Sequence, residues 1–405
     1  MLTLKLAWKN IWRSRTRSLV VVASIIIGVW SVIFLMSFSL GMGDSYLQSA
    51  LKNEYGHMQV HHPNYKDDQE AKFTFEEGAN VGSIAGVKAY SPRVLSNGML
   101  STGHGARGVI IKGIDPELED GVSGIKAFVK EGEYLETGDQ RSILVSQKLT
   151  EKFKLGLRSK VVLTFQDENG DMQSSAYRVK GIYNSGNAMV DEMRVFVDKQ
   201  SLAQLMFKND SLGNRIHEMA FMLTGTDQMD TVQSQLAALF PGELVENYKQ
   251  LAPDLALMET QIKTSGYIFI FIFMLALIFG IINTMLMAVL ERYRELGMLQ
   301  AIGMGKPRVF SMVVMETFLL SMVGVPIGYL LGYISVKSFG TNGLDLTAFS
   351  KGNEMFGMSS TVYPIMDINL FIQLGVAVAI TSLVASIYPA LKAIRLKPVE
   401  AIRKL

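Results

Sequence analysis

Charged side chains vanish from three long stretches of this chain and nearly vanish from a fourth. Leu19 to Gly43, Tyr267 to Leu290 and Leu370 to Leu391 contain none, and Phe310 to Val336 contains only Glu316. Each stretch meets the roughly 20 apolar residues a helix needs to cross a hydrocarbon core about 30 Å thick. The pattern predicts four transmembrane helices, one followed by three, with residues 44–266 forming a single excursion on one side of the membrane. Pro253 and Asp254 read as a helix start, with proline early in the first turn and an acid near the positive end of the dipole. From there to Leu290 only Gly266 and Gly280 interrupt, and Leu255, Met258 and Ile262 form an apolar stripe. About 36 residues at 1.5 Å each make a rod of about 55 Å. Span two is therefore expected to continue outward as a stiff stalk.

Between the first two spans the periodicity changes. Lys160–Gln166 and Met172–Ile182 alternate like strands around a hairpin turn at Asp167-Glu168-Asn169-Gly170-Asp171. Arg107–Ile114, Ser142–Ser146, Met193–Asp198 and His217–Thr224 are further strand candidates, while Asp198–Lys208 and Thr226–Leu239 read as helices. The fold class is an α+β membrane protein: four transmembrane helices, one and then three, with a large α+β extracytoplasmic domain inserted between the first and second. The expected segments are an interfacial elbow helix at 1–18, the first span at 19–43 and the outer domain at 44–252. Within that domain the stretch from about 105 to 200 reads as an insertion. Stalk and second span follow at 253–290, a cytoplasmic helix at 291–309, the third span at 310–336, an outer loop at 337–367, the fourth span at 368–391 and a tail at 392–405. In the elbow, Leu4, Trp8, Ile11 and Trp12 share a face, with Lys5, Lys9 and Arg13 off it, as suits a helix in the headgroup region.

Charge then orients the chain. Lys5, Lys9, Arg13, Arg15 and Arg17 precede the first span; Arg292, Arg294, Lys306 and Arg308 lie between spans two and three; Lys392, Arg395, Lys397, Arg403 and Lys404 fill the tail. The loop between spans three and four has Lys337 and Lys351 against Asp345, Glu354 and Asp367. The positive-inside rule places both termini and the 291–309 loop in the cytoplasm. Residues 44–266 then lie outside, with 23 basic against 30 acidic side chains. No cysteine occurs, which removes disulfides, thiolate metal sites and a cysteine nucleophile. The first apolar run is too long for a signal sequence, and no small-residue cleavage site follows it at Gly41-Met42-Gly43-Asp44, so it is expected to remain as an anchor.

The motifs of catalysis fail on context. Gly305-Lys306 resembles the end of a phosphate loop, but Pro307 stands where Ser/Thr is needed and Gln300 where the first glycine belongs. Gly103-His104-Gly105-Ala106-Arg107-Gly108 has the letters of a dinucleotide loop, yet it precedes a strand and opens no helix. His57, His61 and His62 do not share a face of a strand or a helix, and they read as ordinary surface or strand histidines. No G-x-S-x-G or H-E-x-x-H occurs. The chain is expected to be no enzyme and to hold no metal or cofactor of its own. Nucleic acid is not an expected partner; the lipid bilayer is.

Two helical features remain. Gly324, Gly328 and Gly332 lie four apart on one face of span three and allow close helix approach, against span two or four first and against another subunit second. Pro326 within the same run could kink it. Glu316 lies less than two turns inside the span, where it reaches the interface or bonds a neighbouring helix, with a proton relay as the alternative. After span two, charges crowd the first turn of Glu291-Arg292-Tyr293-Arg294-Glu295-Leu296-Gly297-Met298-Leu299-Gln300-Ala301-Ile302-Gly303-Met304, and Leu296, Leu299 and Ile302 then recur at spacing three. This predicts a short amphipathic helix along the membrane surface, either a connector or a docking knob.

That loop resembles the "ER-x-x-E-[IL]-G-x-L-x-A-[IL]-G" signature of the FtsX-like permeases of ABC transporters, also called the MacB/Lol type. The tail Tyr388-Pro389-Ala390 through Pro398-Val399-Glu400-Ala401-Ile402-Arg403 and the start Ala7-Trp8-Lys9-Asn10-Ile11-Trp12-Arg13-Ser14-Arg15 are similar to that family's ends. The resemblance implies a permease in a bacterial inner membrane, paired with a second permease, identical or related, and with two cytoplasmic ATPases that hold ATP and Mg. It also implies that Glu291, Arg292, Arg294, Glu295, Leu296, Gly297, Leu299, Ala301, Ile302 and Gly303 form the helix seated in an ATPase groove. ATP-driven closure would move that helix, and the stalk would carry the movement to the outer domain.

Within the family, the first expectation is lipoprotein release from the outer leaflet of the inner membrane. Total length, the absence of a fused ATPase and the run Gly56-His57-Met58-Gln59-Val60 followed by His62-Pro63 resemble that branch. The alternative is MacB-like efflux of peptides, antibiotics or other periplasmic substrates; a division-type permease is disfavoured by the large outer domain. Lipoprotein release needs an acyl-chain inlet between spans one and two of the paired permeases. Its candidates are Phe34, Phe38 and Met42 on span one and Ile268, Phe271 and Ile272 on span two, plain lipid-facing surface being the competing reading. A periplasmic carrier or adaptor is a further expected partner.

Overall fold

The structure, a computed structural model, describes residues 15–78, 81–208, 214–347 and 361–395. Most of the expected elbow helix, the end of the tail and part of the 337–367 loop lie outside the described residues. The chain divides into two compact units. One comprises Met1–Gly43, Thr260–Leu344 and Val362–Leu405, the other Asp44–Glu259 and Asp345–Thr361.

Among the described residues four helices are long and apolar enough to cross a membrane: Arg15–Ala50, Pro253–Glu291, Lys306–Asn342 and Ile368–Ile394. Their ends follow local chemistry. Asp367 caps the fourth by accepting from the Asn369 backbone N–H at 2.8 Å. Gly343, at φ +75°, ends the third. Pro326 and Pro389 sit inside helices that continue past them. In the first unit Ile25, Val29, Ile33, Leu374 and Val378 are fully buried. Polar side chains join the spans where lipid offers no alternative partner. Trp30 Nε1 donates to Ser335 Oγ at 2.9 Å, Ser321 Oγ to Ser382 Oγ at 3.3 Å, and the Tyr329 hydroxyl to the Phe371 carbonyl.

The glycine stripe of span three meets the first span, not the second or fourth. A Cβ on Gly324, Gly328 or Gly332 would come within 2.8 Å of Ile25, Val29 or Ile33 respectively. Both rows repeat every four residues, so an i, i+4 ridge of branched side chains lies in an i, i+4 groove of glycines.

The second unit is built on a ten-stranded mixed sheet. From one edge, Leu244–Asn247, Met58–His61, Glu218–Leu223 and the first half of Val87–Thr102 pair antiparallel. Val87–Thr102 then runs on into a closed ring. It pairs with Gly105–Ile114, which is followed by Arg194–Asp198, Ser142–Ser146, Met172–Tyr183 and Lys160–Gln166, and the last returns to Val87–Thr102. Alternation explains the closure: Val161, Leu163 and Phe165 point into the core while Lys160, Val162, Thr164 and Gln166 point outward or are only half-buried. The turn at 167–171 is held by Asp167, whose Oδ1 accepts from the Asn169 and Asp171 amides at 2.9 and 3.0 Å. Helices Lys199–Met206 and Met229–Leu239 cover the sheet with Leu202 and Leu236 fully buried.

The three histidines go separate ways. His57 is buried and its Nδ1 accepts from the Leu223 amide at 3.2 Å. His61 is buried in its strand, not on the surface, and meets Glu246 Oε2 at 3.0 Å; His62 stacks on Phe73. Among the described residues no group of three His, Cys, Asp or Glu could hold a metal ion.

Candidate functional site: a capped helix between the second and third spans

Span two ends at Glu291, and the backbone breaks at Arg292 before a nine-residue helix, Tyr293–Ala301. Its end is set by Gly303, whose φ of +104° few L side chains adopt. The Gly303 amide bonds the Gln300 carbonyl at 3.1 Å, and the Met304 amide bonds the Leu299 carbonyl at 3.0 Å. This is a Schellman stop, and the half-buried Leu299 and Met304 occupy its hydrophobic-contact positions. Gln300 Nε2 also donates to the Ala393 carbonyl of the fourth span at 3.3 Å.

The helix does not lie with its Leu stripe on lipid. Leu296 is buried and Leu299 half-buried, both packed into the helix bundle, and Gly297 is buried beside them. Ile302 leaves the stripe because it is the residue before the glycine stop; it is 78% exposed. Arg294, Met298 and Ile302 are exposed instead, four apart on one outward face with Ala301 beside them, and Glu291 is exposed at the end of span two. Sequence spacing singled out the inward stripe and missed Met298. The outward series was the signal that could have found it.

Arg292 has a role inside the chain. Its Nη1 lies 3.0 and 3.2 Å from the two carboxylate oxygens of Glu316, which is buried in span three, and its Nε lies 4.0 Å from Glu295. A buried carboxylate left without its cation costs about 3–5 kcal/mol. Arg292 thus ties the start of this helix to span three. Glu316 is the partner, bonding a neighbouring element rather than reaching the interface.

The candidate inlet separates into two faces. Phe34 stacks with Trp30 and meets Phe339 of the third span edge-on at 5.7 Å. Phe38 and Met42 are half-buried. Span two turns Ile262, Gly266 and Phe273 toward span one, where a Cβ on Gly43, Gly266 or Gly28 would collide with Ile262, Met36 or Phe273. Ile268, Phe271 and Ile272 occupy the opposite side and are 54%, 63% and 55% exposed. The two sets do not converge within one chain, because a helix facing a neighbour through 262, 266 and 273 points 268, 271 and 272 away. A crevice of about 200 Å³ does open between the two spans elsewhere, lined by Val21, Ser24, Phe273, Gly280, Ile281 and Thr284.

With this geometry described, comparison with known proteins adds the following. A model described as FtsX-like permease C-terminal matches residues 267–398, and one described as MacB-like periplasmic core domain matches residues 18–239. The chain is 23% identical to the lipoprotein-releasing system transmembrane protein LolE of Haemophilus influenzae over 350 residues, 78% of this chain and 77% of that one. It is also 23% identical to the pyoverdine export ATP-binding/permease protein PvdT of Pseudomonas putida over 417 residues. That match covers 99% of this chain, which spans 59% of the relative's length. The extracellular domain of the noncanonic ABC-type transporter YknZ from Gram-positive bacteria aligns with 17% identity and a TM-score of 0.33, over 47% of this chain and 98% of that one.

Proposed function

The chain belongs to the FtsX-like permeases of ABC transporters that carry a MacB-like periplasmic core domain, and from that membership we propose that it is a mechanical subunit driven by ATP hydrolysed elsewhere. It is a multi-pass membrane protein. In this reading it sits in a bacterial inner membrane with both termini and the Tyr293–Ala301 helix in the cytoplasm. A separate pair of ATPases holds ATP and Mg, and a second permease, identical or related, completes the assembly. The observation that carries the reading is the outward face of Arg294, Met298, Ala301 and Ile302 on a helix stopped by Gly303 and packed onto the bundle by Leu296. An exposed apolar tip flanked by charge fits a groove on a soluble partner.

For the substrate, we propose release of lipoproteins from the outer leaflet. The likeness to LolE and the exposed Ile268, Phe271 and Ile272 support it, since three adjacent apolar side chains on a span edge can line an acyl path against a second permease. Efflux is the second reading, favoured by the likeness to PvdT across nearly the whole chain.

The test is gentle purification with mass spectrometry, paired with Ile302→Asp. The wild type should bring down an ATPase, and Ile302→Asp should weaken that association by about tenfold or more, the loss typical of a buried anchor. An acylated protein beside the ATPase supports release; a periplasmic adaptor beside it supports efflux. Full ATPase retention by Ile302→Asp sinks the docking assignment.

A further inference from the structure

In the outer unit, Lys112 lies on Gly105–Ile114, opposite Leu95, and is only 4% exposed. The charges around it are matched to one another. Arg93, fully buried, reaches both oxygens of Glu119 at 2.8 and 2.9 Å and Glu218 at 2.6 Å. Arg194 donates to the Asn53 carbonyl at 2.7 Å and to Glu54. Glu246 takes Lys66 at 2.6 Å and His61 at 3.0 Å. Among the described residues no hydrogen bond or ion pair reaches the Lys112 ammonium, although it lines a cleft of about 410 Å³. That volume falls within the range of small-molecule sites. Leu95, Ile110 and Leu251 supply its apolar wall, with Tyr55 and Tyr65 beside them.

We propose that this cleft binds a small organic monocarboxylate, with the carboxylate on Lys112 Nζ and the apolar body against Leu95, Ile110 and Leu251. An ammonium on a side chain this buried, open only to the cleft and without a protein partner, is poorly compensated, and an entering anion relieves that cost. One negative charge is the limit. A phosphate dianion needs more donors than one lysine supplies, and Glu54 and Glu218 line the same cleft and repel a second charge. The competing role is a through-space counterion for Glu119 and Glu218, which predicts no ligand.

Burial, then repulsion from Arg93, pushes the Lys112 ammonium down to about 7; Glu119 and Glu218 oppose the shift and Arg194 adds to it. Besides these, Glu54, His61 and Lys66 face the cleft. A carboxylate that needs the charged amine should therefore bind best below pH 7 and lose up to about tenfold in affinity per unit above it.

Calorimetry on the full-length protein in detergent tests this with benzoate and its uncharged isostere benzamide. Benzoate should bind at pH 6.5, with benzamide about tenfold weaker or worse. Lys112→Met should abolish benzoate binding. Ile110→Trp should do the same by filling the cleft without touching a charge, so the result does not hang on one variant folding. The proposal is overturned if wild type binds no benzoate, if benzamide binds equally well, or if Lys112→Met keeps benzoate affinity, which would leave the lysine as a counterion alone.

Discussion

His217 is fully buried, and both ring nitrogens are committed. Nδ1 accepts from the Leu95 amide at 3.1 Å and Nε2 donates to the Ala71 carbonyl at 3.2 Å. That pair of bonds requires the neutral ring, because an imidazolium has no lone pair for Leu95. Burial pushes its pKa down to about 4; the Ala71 carbonyl resists the shift and Arg215 reinforces it. In the unfolded chain a histidine near 6.5 takes up its proton first as acid is added. The stabilisation is complete above pH 6.5 and is lost as pH falls from 6.5 toward 4, by about 2–3 kcal/mol at pH 4.5. Denaturant unfolding of the outer unit within the full chain at pH 7 and pH 4.5 measures it. His217→Gln should be less stable at pH 7 but should lose about 2 kcal/mol less across that interval. An identical pH slope in both proteins would mean another group sets the acid limit. Nothing in the sequence around residue 217 announces this, because burial of a lone histidine is a property of the packed sheet. Arg292 and Glu316 make the same point. Glu316 was legible as the one charge in its span, whereas the cation it meets, 24 positions away, was not.

The stripe Gly324, Gly328 and Gly332 carries its own argument at the level of elements. With Val29 2.8 Å from where a Gly328 Cβ would stand, any larger side chain must push the third span off the first. Gly328→Leu should destabilise the bundle by about 1–3 kcal/mol, the usual cost of overpacking. Gly280→Ala, where nothing lies within 4 Å, should change little. Thermal unfolding of the purified protein compares them, and equal melting of the two variants would show that the close approach contributes no stability. Sequence period reveals which residues share a face, and so the stripe itself, the four apolar runs and the alternating strand Lys160–Gln166 were all readable. Period does not name the partner across that face. The glycines were therefore matched to the wrong spans. The ring closed by Lys160–Gln166 was hidden for a similar reason: its hairpin pairing with Met172–Tyr183 was readable, but its other pairing, with Val87–Thr102, joins strands that only the tertiary fold brings together.

The proposed mechanism makes a demand on the molecule as a whole. Work done by an ATPase on the Tyr293–Ala301 helix must reach the outer unit through covalent structure that does not yield. The helix Pro253–Glu291 contributes residues to both compact units, its first turns to the outer one and the remainder to the membrane one, without an internal proline. Its 39 residues span about 58 Å at 1.5 Å each. An unbroken helix transmits axial and bending displacement, whereas a flexible joint absorbs it. Gln261 is exposed and lies just inside the membrane unit, so a substitution there alters the backbone more than the packing. Gln261→Pro removes one backbone hydrogen bond and clashes with the carbonyl four residues earlier, a local cost of about 3 kcal/mol that kinks or opens the helix. In reconstituted membranes this variant should still bind the ATPase and support its ATP hydrolysis, while substrate movement falls by about tenfold or more. Gln261→Ala should behave as wild type. Hydrogen exchange across residues 255–265 establishes that the helix has opened. Transport at the wild-type rate through a helix shown to be open would mean that force travels by another route, and the lever would have to be abandoned in favour of coupling within the membrane unit alone.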